Sequence, residues 1–221
     1  MALRNLRLLL SIAFLLPLWL HGQDLNNYKR LKAEGTIPLK FTQSSTEKYK
    51  ADVQKSISKK DKRKERRLKQ EFLLESNFIL DELMLSGKIL YNDPLSLYVN
   101  RVMDNLLRSE PGLRKEIEVY VIKSPAVNAF ATNSGVIVVN MGLLAKLNNE
   151  AELAYVLAHE VIHYREKHTI NKYVESKKIE NNKGVYRRAS LDEKLLARSN
   201  YSQDKETEAD LEGLKLFLKS D

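Results

Sequence analysis

The chain contains no cysteine. Disulfide staples, thiolate metal sites and cysteine nucleophiles are therefore excluded, and any metal must be held by histidine and carboxylate. Beyond Leu20 the chain also lacks any apolar run of the roughly 20 residues that a membrane-spanning helix needs. Aromatic residues are missing from the one strongly basic stretch, residues 55–69, where nine Lys/Arg face only Asp61 and Glu65. Nucleic-acid binding would want aromatics interleaved with such charges, so no nucleic-acid partner is expected.

What is there suffices for a domain. The 221 residues are 43% hydrophobic and 30% charged, enough for one core plus a tail. Arg4 and Arg7 precede Leu8–Leu20, a run of 13 mostly apolar residues, and His21-Gly22-Gln23-Asp24 follows. That is the layout of a signal peptide cleaved after Gly22, with an uncut anchor as the alternative. The expected location of the mature protein is outside the cytoplasm, soluble or peripherally membrane-associated. Net charge falls from +8 to +6 when Arg4 and Arg7 leave, and residues 55–69 carry a local +7. The basic character therefore belongs to one segment. It reads as a solvated helix start, with weak contact to anionic lipid headgroups as the second reading.

Residues 23–54 are polar and read as a flexible lead-in. A helix begins within the charge run, continues through Phe72, Leu73, Ile79, Leu80 and Leu83, and ends at Gly87. Asp93 caps the next helix, with Pro94 at its first position and apolar residues at helical spacing to Leu106. Glu110-Pro111-Gly112 stops it. Residues 116–122 read as a strand, Asn133-Ser134-Gly135 as a hairpin turn, Val136–Val139 as a second strand and Met141–Leu147 as a short helix. Asn149, with Glu152 as capping-box partner, starts a helix reaching about Lys167. Residues 177–190 look loop-like, and a last helix starts near Asn200 or Ser202. The domain reading is a signal peptide over 1–22, a polar then basic lead-in over 23–70, and one α+β domain over 71–221. That domain is mostly helical, with a small antiparallel sheet.

His159-Glu160-Val161-Ile162-His163 carries the chemistry. Residues four apart share a helix face, so both imidazoles reach one metal ion, and Glu160 is placed to act on water that the ion activates. Leu153, Val156, Leu157 and Ile162 put this helix in a core, where two His and a Glu without a metal would be costly. A catalytic zinc site needs a third protein ligand and an open position. His168, five residues after His163, is turned about 140° off the ligand face at ~100° per residue, and reads as a helix-end or surface histidine. Glu166 and Thr169 stand where the extended metzincin pattern needs Gly and His. A carboxylate is therefore indicated. Glu206 and Asp210 are four apart on the last helix. Glu206 suits a ligand, and Asp210 suits an acceptor for the outer nitrogen of a ligand histidine. Glu206, Glu208 and Asp210 also read as a wet acidic face, and spacing alone leaves the two open.

These pieces, in this order, resemble the M48 zinc metallopeptidases over about residues 85–217. The resemblance is carried by Asp93-Pro94, Asn128-Ala129-Phe130-Ala131, Gly135-Val136-Ile137-Val138-Val139-Asn140, Gly142-Leu143-Leu144, the zinc motif with His168 following, and Glu206-Thr207-Glu208-Ala209-Asp210. It implies a zincin-like fold with an edge-strand hairpin beside the motif helix. It also implies one zinc per chain, with His159, His163 and Glu206 as ligands, Glu160 as general base and Asp210 supporting a ligand. Asn128, Val136 and Val138 would flank a cleft where an extended peptide adds as a strand. Only 11 residues follow Asp210, and the late His or Arg that often binds the oxyanion in the family is not among them. The chain is thus expected to be part of a longer protein or a minimal domain. The expected activity is endopeptidase cleavage of misfolded or unassembled envelope polypeptides. The alternative is a non-catalytic chaperone or assembly factor that keeps the zinc fold.

Overall fold

The computed structural model describes residues 35–42, 45–179 and 202–220. The signal peptide and the first part of the lead-in lie outside these residues. Among the described residues the elements are α1 (Leu39–Thr42), α2 (Ser45–Ser56), α3 (Arg63–Leu85), β1 (Ile89–Leu90), α4 (Pro94–Leu106), α5 (Pro111–Glu116), β2 (Glu118–Ile122), β3 (Ala129–Ala131), β4 (Val136–Asn140), α6 (Met141–Leu144), α7 (Glu150–Arg165), α8 (His168–Ile179) and α9 (Gln203–Leu218). The domain is mostly helical, as expected. Among the described residues no helix is long and apolar enough to cross a membrane.

α3 begins inside the basic run and buries Phe72, Leu73, Ile79, Leu80, Leu83 and Met84 on one side. Ser86 caps it, and Gly87 follows at φ 71°, a left-handed conformation that glycine adopts without steric cost. Asp93 caps α4 by accepting from the Leu95 amide at 2.8 Å, with Pro94 at the first helical position. α4 ends at Leu106 with Leu107 as its cap, so Pro111-Gly112 is not its stop. That pair opens α5, because proline's fixed φ and missing N–H suit a first helical turn.

The sheet is mixed, where an antiparallel one was expected. Its order is β1-β2-β4-β3, with β1–β2 and β3–β4 antiparallel and β2–β4 parallel. The hairpin β3–β4 returns so that β4, not β3, lies beside β2. All five residues of β4 are buried, the pattern of an interior strand covered on both faces. Phe130, Val136 and Val138 pack with Ile79, Leu83 and Met84 of α3 and with Phe41 of α1. Tyr120 meets Phe41 and Tyr91 edge-on, with ring centroids 5.8 and 5.7 Å apart. α4 packs on β2 and on α7.

Residues 35–56 correct the flexible lead-in. α2 lies along α3, with Tyr49, Val53 and Ile57 packed on Phe72, Leu73 and Ile170. Lys48 pairs with Asp81 at 2.6 Å, and the Asn77 amide donates to Asp52 at 2.9 Å. The apolar residues recur every four positions but are separated by lysines and acids, which hides the stripe in the composition.

Candidate metal centre

The site is built on α7. Asn149 accepts from the Glu152 amide at 2.9 Å, and the Glu152 carboxylate accepts from the Asn148 amide at 2.8 Å. This reciprocal cap satisfies orphan donors and fixes where the helix starts. Leu153, Leu157, Val161 and Ile162 then sink the helix into the core. The helix ends at Arg165. Lys167 takes φ 55° and redirects the chain into α8.

α9 lies across α7. Ala158 and Ala209 are fully buried, and a Cβ on Gly213 would stand only 3.1 Å from the His159 amide nitrogen. Small residues here let the two backbones approach, and that approach delivers the acidic residues of α9 to the histidines. His159 Nε2 and His163 Nε2 are 2.8 Å apart. Glu206 Oε2 lies 3.4 Å from the first and 3.8 Å from the second. The three ligand atoms fall within 4.8 Å of one another. Tetrahedral zinc with bonds of ~2.1 Å separates its ligand atoms by about 3.4 Å, so small shifts of the rings would complete a site. Among the described residues this is the only His/Cys/Asp/Glu group of that kind.

The surroundings fit a cation. His159 Nδ1 faces Asp210 Oδ1 at 2.9 Å, which places its proton there and leaves Nε2 with a lone pair. Tyr155 also reaches Asp210, its hydroxyl donating at 3.4 Å. Burial, then the neighbouring His159 and His168 rings, push His163 down to about 3, so it is neutral as a ligand must be. Burial raises Glu160 to about 8, the Ala131 amide opposes that by donating to the carboxylate, and the charge of Glu206 adds to the rise. A cation on the three ligands acts the other way and favours the carboxylate.

The structure brings His159, Glu160, His163, Glu206 and Asp210 together. It does not bring Val136 and Val138. Both are buried on β4, whose two edges are already paired to β2 and β3. The open edge is β3. Residues Asn128 and Thr132 bond to β4, so by strand alternation Ala129 and Ala131 turn their backbone groups outward. Asn128 stands at the start of that strand. His168 is also misplaced by the helical-wheel reading. It is buried at 1% exposure, because α7 stops and α8 starts at His168 itself, folding the ring back under His163. Gly213, Tyr155 and Ala131 were missed as well. Gly213 and Tyr155 carry one weak signal, their helical spacing from Ala209 and His159.

Two imidazoles and a carboxylate around one point, with a buried glutamate next to one of the histidines, fit a metallopeptidase centre. Residues 95–221 match the model of peptidase family M48, and the chain belongs to that family. It is 30% identical over 92 residues to the beta-barrel assembly-enhancing protease of Yersinia pestis, covering 42% of this chain and 19% of that protein. Against the protein of the same name from Escherichia coli strain K12 it is 32% identical over 80 residues, covering 36% and 16%. Against the mitochondrial metalloendopeptidase OMA1 of Schizosaccharomyces pombe it is 35% identical over 79 residues, covering 36% and 23%. The matches thus span about a fifth of the length of these relatives.

Proposed function

We propose that this chain is a zinc-dependent endopeptidase acting on misfolded or unassembled polypeptides of the cell envelope. The carrying observation is the convergence of His159, His163 and Glu206 on one point, with Glu160 on the next helical position. Zinc held there would polarise a scissile carbonyl and lower the pKa of water to about 7. Glu160 takes the water proton and passes it to the leaving amine. The Ala131 amide holds the Glu160 carboxylate in place for both transfers. With the Ala131 amide committed to Glu160, the outward groups of Ala129 and the outward carbonyl of Ala131 support pairing with an extended substrate strand, so β3 with Asn128 takes the role first assigned to β4. The name beta-barrel assembly-enhancing protease, carried by the Yersinia pestis and Escherichia coli relatives, favours substrates connected with β-barrel assembly. The basic stretch at the start of α3 would add weak, salt-sensitive contact with anionic headgroups.

Glu160→Gln tests the role directly. The variant should retain one zinc per chain and fail to cleave unfolded casein, whereas wild type cleaves it. Wild-type cleavage by the variant would remove Glu160 from the chemistry. Zinc binding with no cleavage by wild type would favour the assembly-factor alternative.

A further inference from the structure

We infer that His168 and Glu208 are positioning residues for the metal centre, holding His163 in the one tautomer whose Nε2 lone pair faces the ion. This rests on the metallopeptidase reading above.

His168 Nδ1 lies 2.8 Å from His163 Nδ1, and His168 Nε2 lies 3.3 Å from Glu208 Oε2. Lys205 anchors that carboxylate at 2.7 Å. A row of close contacts results: Asp210, His159, His163, His168, Glu208; its first three joints have hydrogen-bond geometry, and the last, His168 to Glu208, is an ion-pair approach that a small turn of the carboxylate would close. Its two ends are carboxylates, which only accept. Between them stand three rings and four joints, and three neutral imidazoles carry one N–H each. Suppose the two Nε2 atoms hydrogen-bond to each other. His159 spends its proton on Asp210, so His163 must donate from Nε2 and accept at Nδ1. His168 then donates from Nδ1 and turns a lone pair toward the Glu208 carboxylate, leaving two acceptors face to face.

A dication on the two Nε2 lone pairs removes one joint from the count. The remaining three then hold one proton each. His159 donates to Asp210, His163 donates from Nδ1 to His168, and His168 donates from Nε2 to Glu208. Every ring nitrogen is satisfied, and both ligand lone pairs point at the same place. Glu208 thus acts on the metal through two imidazoles, although it contacts neither the ion's position nor the substrate edge.

Zinc affinity of the 221-residue chain, read by competition with a chromophoric chelator, tests this without reference to activity. His168→Phe keeps a ring but has no acceptor, and should weaken zinc binding about 10–100-fold with the metal-free unfolding midpoint little changed. His168→Gln restores an acceptor and a donor and should recover most of that loss. Glu208→Ala should weaken binding several-fold in wild type and have no further effect in His168→Phe. If His168→Phe does not fold, two measurements on zinc-loaded wild type decide. Nitrogen-15 spectra should show the His163 proton on Nδ1, and X-ray absorption should count two imidazoles on the metal. Unchanged affinity in a folded His168→Phe, a third coordinated imidazole, or His163 bound through Nδ1 overturns the inference. Wild type that binds no zinc overturns the metallopeptidase reading itself and this inference with it.

Discussion

Gly213 on α9 rests against the backbone of His159 on α7. A Cβ at position 213 would meet the His159 amide nitrogen at 3.1 Å and its Cα at 3.2 Å. The residue that sets the distance between the helix of His159 and His163 and the helix of Glu206 therefore has no side chain and no chemistry of its own. Adding one methyl gains about 1 kcal/mol of helix propensity but forces the helices apart by a few tenths of an ångström. Gly213→Ala should leave stability nearly unchanged and weaken zinc. Gly213→Val adds bulk that cannot be absorbed, and should destabilise by about 1–3 kcal/mol. Thermal melts of the metal-free protein, paired with zinc competition, separate the two effects.

Asp210 accepts the outer proton of His159 at 2.9 Å, but its side chain is 57% exposed. Water replaces part of what it supplies. Asp210→Ala should lower zinc affinity by about tenfold, the small end of the range for such partners. Asp210→Asn, which keeps an acceptor oxygen, should lose less. Equal affinity in all three proteins would remove the Asp210 contact from the account of the site.

The turn before β4 depends on Gly135. It sits at φ 85°, and a Cβ there would fall 2.2 Å from the Glu116 carbonyl oxygen. That oxygen is backbone and cannot swing away. Gly135→Ala should cost at least 1–3 kcal/mol through backbone strain and disturb the hairpin carrying β3. The shift of the urea midpoint measures it. A shift below 0.5 kcal/mol would mean the turn relaxes freely.

The stability of the domain should carry a pH signature from Asp52. Burial raises its carboxyl above the ordinary 3.8, while the Asn77 bond and the charges of Lys55 and Lys48 oppose the rise. The folded state thus holds this proton more tightly than the unfolded chain does. Its contribution is greatest below 3.8 and declines as pH climbs through the raised value. Asp52→Asn still accepts from Asn77 and has no proton to lose. The unfolding midpoint of Asp52→Asn minus that of wild type should rise between pH 4 and 7. A difference that stays flat, or falls, assigns the pH dependence elsewhere.

The parts of the fold that were readable from the chain are those set within a few residues. The Asp93-Pro94 start, the Asn149–Glu152 cap and the Gly87 stop are local hydrogen-bond and dihedral requirements, and all three stand as expected. The two-strand reading failed at β1 and β3, which are two and three residues long. Strands that short have no period to detect. The parallel pairing of β2 with β4 was invisible for another reason, since strand alternation encodes which face is buried but not which neighbour lies alongside.

For the site, the motif residues themselves determined that one helix face presents two imidazoles with a glutamate beside them, because a rise and turn per residue are properties of any α-helix. Whether Glu206 and Asp210 stand beside the two histidines or on a separate acidic face is visible only in three dimensions. So is the fate of His168. Extending one helix through it turned the ring to the wrong side, whereas the left-handed step at Lys167 ends that helix and begins another. Small residues at positions 158, 209 and 213 then close the gap between segments 43 residues apart. Backbone approach depends on what is absent from both surfaces at once, and no single stretch of chain records that.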